Sequence, residues 1–239
     1  MNTTKFDKKS TLVIAHRGLS GLEKENTNSA FVAAGNRSYY GIETDVHKTK
    51  DGQFVLNHDE DFRRVACDET VIKEATLDQI QNIILFDIDE QKTRLDLRPT
   101  TLQNYLSICK RYEKHSIIEL KSDFTDVDIG KIIKIVNHYQ QLENTTFISF
   151  NYENLLKVRK ILPNQSAQYL FWKITAQELD RLSKDKIDID VWCVELTKEQ
   201  IDKAHSFGLK VNTWTVNEKI DAEKLADWGI DYITSNILE

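Results

Sequence analysis

The chain has little of what would mark several protein classes. Its 239 residues include only 2 prolines, 8 glycines and 3 cysteines. Prolines and glycines this sparse exclude a collagenous or low-complexity chain. Cys67, Cys109 and Cys193 are scattered, odd in number and without metal-ligand spacing. They read as reduced thiols, not as a disulfide framework or a zinc site. No run approaches the roughly 18 consecutive apolar residues that span a bilayer. The start, Met1 to Lys9, is polar, and the apolar run Leu12 to Ala15 is too short for a signal-peptide core. The chain is therefore expected to stay in the cytoplasm, with no stable membrane anchor. Positive charge is not in excess either, because 32 Lys and Arg face 38 Asp and Glu, a net charge of −6. That argues against nucleic acid or an anionic membrane surface as the main partner. What remains is an ordinary globular composition, 40% hydrophobic and 29% charged, long enough to bury a sizeable core.

Short aliphatic runs alternate with helix-like patterns along the whole chain. Strands are expected at Thr11–Ala15, Gly41–Val46, Ser116–Lys121, Thr145–Ser149, Gln168–Phe171, Asp190–Val194, Lys210–Trp214 and Asp231–Thr234. Apolar residues at helical spacing follow each but the last, over Asn28–Arg37, Thr100–Arg111, Val127–Tyr139, Tyr152–Leu162, Ala176–Ser183, Lys198–Ala204 and Glu218–Trp228. Strict alternation means parallel strands joined by crossover helices. Eight such units in a chain of this length predict an α/β fold, a closed (β/α)8 TIM barrel, better than an open sheet. No glycine-rich phosphate loop follows the first strand, which counts against a nucleotide-binding fold. The stretch from about 48 to 98 is too long for a βα loop and reads as a subregion inserted between the second strand and its helix. The whole chain, 1–239, reads as a single domain.

A barrel of this kind carries its active site at the carboxyl ends of its strands. Those ends are polar here: His16 and Arg17 follow the first strand, Glu43 and Asp45 lie in the second, and Glu119 and Lys121 in the third. Glu43 and Asp45 are two apart, so they share one face of their strand. Carboxylates gathered on an inward face resist ionisation unless a cation joins them. An all-oxygen set suits a hard divalent cation, Mg2+ or Ca2+, better than zinc. Spacing alone leaves a second arrangement open, in which Glu43–Lys121 and Asp45–Arg17 are structural ion pairs.

Asp51-Gly52 is a tight-turn signal. If it forms a two-residue hairpin, Lys50 pairs with Gln53 and His58 comes opposite Asp45. His16 and His58 would then flank the acidic cluster as an acid/base pair, since imidazole titrates near neutral pH. Arg17 suits a bidentate hold on a phosphate oxygen, and Lys121 adds a point charge. His47 shares the parity of Glu43 and Asp45 but lies up the hairpin arm and is expected at the surface. His115, His138 and His205 are expected to face solvent, as is the Arg63-Arg64 pair.

His16-Arg17-Gly18, Glu25-Asn26-Thr27, Gly41-Ile-Glu43-Thr-Asp45, Thr49-Lys-Asp-Gly52 and His58-Asp59 resemble the glycerophosphodiester phosphodiesterase family in order and spacing. Ile118-Glu119-Leu120-Lys121 and Trp214-Thr-Val-Asn217 are similar to its later motifs. The resemblance covers nearly the whole chain. It implies a (β/α)8 barrel with an insertion after the second strand, and metal-dependent hydrolysis of small-molecule glycerophosphodiesters to glycerol 3-phosphate and an alcohol. His16 and His58 would be the acid/base pair, Glu43, Asp45 and Glu119 the ligands of a Mg2+ or Ca2+ ion, and Arg17 and Lys121 phosphate contacts. Trp214, at the end of the seventh strand, either packs against the glycerol or serves as a core or rim aromatic. The implied chemistry is attack by the glycerol 2-hydroxyl through a cyclic phosphate, with direct attack by water as the alternative. One departure is Thr234-Ser235-Asn236, where the family has Thr-Asp and a nearby proline; it bears on the pocket wall. Two rival functions are a lysophospholipase of type C or D and a non-catalytic binding protein. The first lacks an amphipathic anchor here, and the second would call for a lost histidine or ligand.

Overall fold

The computed structural model describes residues 2–239. In chain order the elements are β1 (Leu12–Ala15), α1 (Asn28–Gly35), β2 (Gly41–Lys48), β3 (Phe54–Leu56), β4 (Asp61–Phe62), α2 (Arg63–Ala66), β5 (Asp68–Val71) and α3 (Leu77–Gln81). They continue with α4 (Leu102–Arg111), β6 (His115–Leu120), α5 (Asp126–His138), β7 (Thr145–Ser149), α6 (Tyr152–Ile161) and β8 (Ser166–Phe171). The last are α7 (Ala176–Asp185), β9 (Asp188–Trp192), α8 (Lys198–Ser206), β10 (Val211–Trp214), α9 (Lys219–Asp227) and β11 (Tyr232–Ser235).

Eight strands, β1, β2 and β6 to β11, form one parallel sheet. The sheet closes because β1 pairs in parallel with both β2 and β11. The expected (β/α)8 barrel is thus the fold. Most helices begin where a short polar side chain can cap the free amides. Thr27, Thr101, Thr125, Thr175 and Thr197 each accept from the backbone N–H three residues on, and Asn151 accepts from that of Glu153 at the start of α6. The main core lies between strands and helices, built from residues such as Val13, Ile42, Ile118, Phe147, Ile189 and Ile233. A smaller cluster, Ile14, Ile117, Ile148 and Leu170, has the opposite strand parity and fills the barrel itself. The ninth strand differs from expectation: it runs Asp188–Trp192, and Cys193–Glu195 forms a 3-10 turn instead.

The segment between β2 and α4 holds β3, the β4–β5 hairpin, α2 and α3 around its own apolar cluster, including Phe62, Val65, Ile72 and Leu97. It starts from an antiparallel β2–β3 pair whose register is Val46↔Leu56, His47↔Val55 and Lys48↔Phe54. Asn57, not His58, therefore comes opposite Asp45, and its N–H donates to the Asp45 carbonyl at 3.1 Å. The two-residue hairpin expected from Asp51-Gly52 is a three-residue loop, closed by Thr49 N–H to Gln53 O at 2.9 Å. The cause is backbone geometry. A two-residue turn of the favoured kind needs positive φ at both central residues, and only Gly52 has it, at +75°. Asp51 instead accepts from the Thr49 hydroxyl at 2.6 Å and from the Leu77 N–H at 3.1 Å. No helix among the described residues is long and apolar enough to cross a membrane.

Candidate active site

The β2–β6 register sets Asp45 beside Glu119. Glu43, two residues before Asp45, shares its face. Ligand oxygens of Glu43, Asp45 and Glu119 lie within 4.8 Å of one another, and all three residues are buried. Glu43 is pushed well above the usual carboxylate range by burial and by the charges of Asp45 and Glu119. Burial and Asp45 raise Glu119 to about 8. Burial also opposes ionisation of Asp45, yet Arg17, Lys121 and His58 hold it below the usual range. Oδ1 of Asp45 has no hydrogen-bond partner, with Lys121 Nζ 3.5 Å away. A dense all-oxygen set, two members of which resist charging, and one orphaned acceptor fit a hard divalent cation.

Cations of the protein rim this cluster. Lys121 Nζ is 3.0 Å from Glu119 Oε1. Arg17 Nε is 3.5 Å from Asp45 Oδ2 and its Nη1 donates to Glu25 Oε1 at 3.0 Å. The Arg17 backbone N–H donates to Glu43 Oε2 at 2.8 Å. That donation needs an unusual turn, because Arg17 has φ +53° and Gly18 φ +77°. A Cβ on Gly18 would come within 2.7 Å of Ala30, so only glycine lets this loop lie against α1. Asn26, also at positive φ, donates from Nδ2 to Asp45 Oδ2 at 2.8 Å and accepts from the Thr44 hydroxyl at 2.7 Å. Of the ion pairs that spacing left open, Asp45–Arg17 is present, while Lys121 reaches Glu119 and Asp45.

Both histidines reach one cavity, lined by His16, Arg17, Glu43, His58, Glu119 and Trp214 among others. Each ring is held by one nitrogen. His16 Nδ1 is 2.7 Å from Asn236 Oδ1, an amide oxygen that can only accept. His58 Nδ1 is 2.7 Å from Asp59 Oδ1. Both contacts assign the proton to Nδ1 and leave Nε2 with its lone pair. Burial, helped by Arg17, lowers His16 to about 4, so it is neutral at physiological pH. Burial also lowers His58, against the pull of Asp45 and Asp59.

The support behind these residues is where sequence reasoning fell short. Arg64 is exposed, as expected of a solvated face, yet it donates to both oxygens of Glu25 at 2.7 and 2.8 Å and to Asp59 Oδ2 at 2.6 Å. It joins the Arg17 loop to the His58 loop because α2 folds over the rim. Arg63 points away, 63% exposed, and pairs with Asp61. His47, expected at the surface, is buried, with Nε2 3.4 Å from the His58 carbonyl and Nδ1 3.3 Å from Ser122 Oγ. His115 opens β6 at the opposite end of the barrel. It stacks on Tyr40 with centroids 4.9 Å apart, and Thr146 Oγ1 is 2.8 Å from its Nε2. It is therefore only partly exposed. His138 and His205 are exposed as expected. The departure at Asn236 reaches past the pocket wall to His16 itself. Trp214 is partly buried and meets Phe150 and Trp172 at centroid distances of 5.7 and 5.1 Å.

Three carboxylates, two oriented imidazoles and two protein cations thus meet at the carboxyl rim of the barrel, and similarity to known proteins places such a barrel among the phosphoric diester hydrolases. Residues 16–238 match the glycerophosphoryl diester phosphodiesterase family, and the chain belongs to that family; it is an enzyme that hydrolyses glycerophosphodiesters. It is 28% identical over 244 residues to a glycerophosphodiester phosphodiesterase of Caldanaerobacter subterraneus subsp. tengcongensis, covering 95% of this chain and 94% of the relative. A glycerophosphodiester phosphodiesterase of Bacillus subtilis is 26% identical over 246 residues, covering 94% and 83%. Among solved structures, an Oleispira antarctica phosphodiesterase in complex with its product sn-glycerol-3-phosphate superposes with a TM-score of 0.88 at 23% identity, over 98% of this chain and 96% of that one. A glycerophosphodiester phosphodiesterase from Parabacteroides distasonis gives 0.79 at 25% identity, over 96% and 94%.

Proposed function

We propose that the chain, one domain with its 48–98 insertion, releases glycerol 3-phosphate from water-soluble glycerophosphodiesters in the cytoplasm by histidine acid/base catalysis. The observation that carries this reading is the cavity onto which His16, His58, Glu43 and Glu119 converge, with Asp45 clustered against the two glutamates. Glu43, Asp45 and Glu119 would hold a divalent cation, Mg2+ or Ca2+, whose charge would offset that developing on the phosphoryl oxygens. Arg17 and Lys121 bind the phosphate and draw an anionic substrate into a chain of net negative charge. Trp214 packs against the glycerol. One Nε2 lone pair takes the proton of the attacking glycerol 2-hydroxyl, and the other imidazole, which must enter the cycle protonated at Nε2 as well as Nδ1, gives that Nε2 proton to the departing alcohol oxygen. The two roles reverse when water opens the cyclic phosphate. Asn236 and Asp59 hold the rings for both halves, and Arg64 fixes Asp59 in turn.

The deciding assay is release of glycerol 3-phosphate from glycerophosphocholine with added Mg2+ or Ca2+. EDTA and His16→Ala should each abolish it. A protein inactive on every glycerophosphodiester with either cation defeats the reading. Equal cleavage of a substrate lacking the 2-hydroxyl would exclude the cyclic route in favour of attack by water.

A further inference from the structure

Inside the barrel, one layer below the rim, stands a polar side chain that the chemistry above does not use. Asp190, on β9, is 2% exposed and lines the same cavity as the two histidines. Of its interior neighbours, Asn212 donates from Nδ2 to Gln168 Oε1 at 3.2 Å and also lies within reach of the Asp190 carboxyl, and the Thr234 hydroxyl donates to Asn212 Oδ1 at 3.2 Å. Asp190 Oδ1 is buried with no hydrogen-bond partner, and so is Trp214 Nε1, which lines that cavity too. Ile148, Phe150 and Leu170 supply apolar walls. A buried polar atom left unpaired costs stability and calls for an account.

The two orphans differ in kind. Trp214 Nε1–H can only donate, and a carboxyl oxygen offers lone pairs. A phosphate oxygen only accepts, a need that Arg17 and Lys121 already answer, and a quaternary ammonium has neither a proton to give nor a lone pair for Trp214. A hydroxyl answers both, and apolar walls suit the methylene that bears it. We propose that Asp190, with Trp214 as the matching donor, forms the subsite for the free primary hydroxyl of the substrate's glycerol and so sets the preference for a glycerol ester. This rests on the functional reading above.

The test compares glycerophosphocholine with its analogue lacking that primary hydroxyl, the phosphocholine ester of propane-1,2-diol, which keeps the 2-hydroxyl. Wild-type protein should show a KM about tenfold higher for the analogue, with kcat little changed, as for a hydroxyl bound alike in ground and transition states. Asp190→Leu should raise KM for glycerophosphocholine about tenfold, leave the analogue unchanged and so erase the discrimination. Asp190→Asn, which keeps a hydrogen-bonding head, should retain most of it. Calorimetric binding of glycerol 3-phosphate and of propane-1,2-diol phosphate should show the same pattern without turnover. Thermal melting separates a structural role: removal of an unpaired buried carboxyl should leave Tm unchanged or higher. Undiminished discrimination in Asp190→Leu, equal loss on both esters, or a change confined to head-group preference overturns the subsite. A wild type active on both esters but indifferent between them overturns the subsite alone. Wild-type inactivity on both defeats the functional reading, and the subsite with it.

Discussion

Asp59 Oδ1 lies 2.7 Å from Nδ1 of His58, its neighbour in the chain, while Asp59 Oδ2 accepts from Arg64 at 2.6 Å. One carboxylate thus fixes a ring and is itself fixed. The outer partner, Arg64, is anchored at its other end on Glu25, which binds Arg17. The insertion and the first βα loop are joined through these charges.

Asp59→Asn should lower kcat while sparing KM, because the substrate contacts stay and the ring's orientation and basicity do not. Loss of such supporting partners typically costs about 10- to 100-fold. Steady-state kinetics on glycerophosphocholine reads it; an unchanged kcat would show that His58 needs no support. Arg64→Lys should act in the same direction, since an ammonium cannot make the bidentate hold on Glu25.

Glu43→Gln should separate stability from function. With EDTA present, the variant should melt higher than wild type, since a buried carboxyl crowded by Asp45 and Glu119 is replaced by a neutral amide. Addition of Mg2+ or Ca2+ should raise the wild-type Tm, by the equivalent of about 2.7 kcal/mol at a hundred times the dissociation constant. The variant should lose that shift and its activity. An equal cation-induced shift in both proteins would remove Glu43 from the cation site.

His115 offers a pH test away from the chemistry. Burial, with Lys210 adding, holds its folded pKa at about 4 against 6.5 for the free side chain. Between those values the unfolded chain binds more protons, so stability falls as pH drops from about 6.5 towards 4. Allowing for its partial exposure, the loss is about 1–2 kcal/mol. Urea melts at pH 7 and pH 4.5 should show a smaller difference for His115→Gln than for wild type. Parallel losses in the two proteins would count against it.

Gly52→Ala should destabilise by about 1 kcal/mol, because φ of +75° disfavours any side chain. Space is not the cause: a Cβ at this position would have Lys131 Nζ as its nearest neighbour, 3.9 Å away. A lower urea midpoint with unchanged m-value is expected; no change would mean that the turn adapts.

Much of this molecule was legible in local sequence pattern. The alternation of runs and the side-chain parity that pairs Glu43 with Asp45 and Glu119 with Lys121 depend on residues a few positions apart. The hairpin was legible as a turn but not in register, because only Gly52 takes positive φ while Asp51 accepts from the Leu77 N–H in the insertion.

The sequence by itself therefore determined the barrel, the rim and the acidic and imidazole groups carried there. Tertiary structure alone decided what stands behind each group. The contact between His16 and Asn236 spans 220 positions and exists only because β11 closes against β1. His47 is buried and Arg64 engaged because the insertion folds over the rim. Asp190 was placed in a strand by pattern, but only closure of the barrel shows that it lines the cavity with Oδ1 unpartnered. Local preferences choose each element and the face each side chain takes; which distant groups then meet there is set by packing of the whole chain.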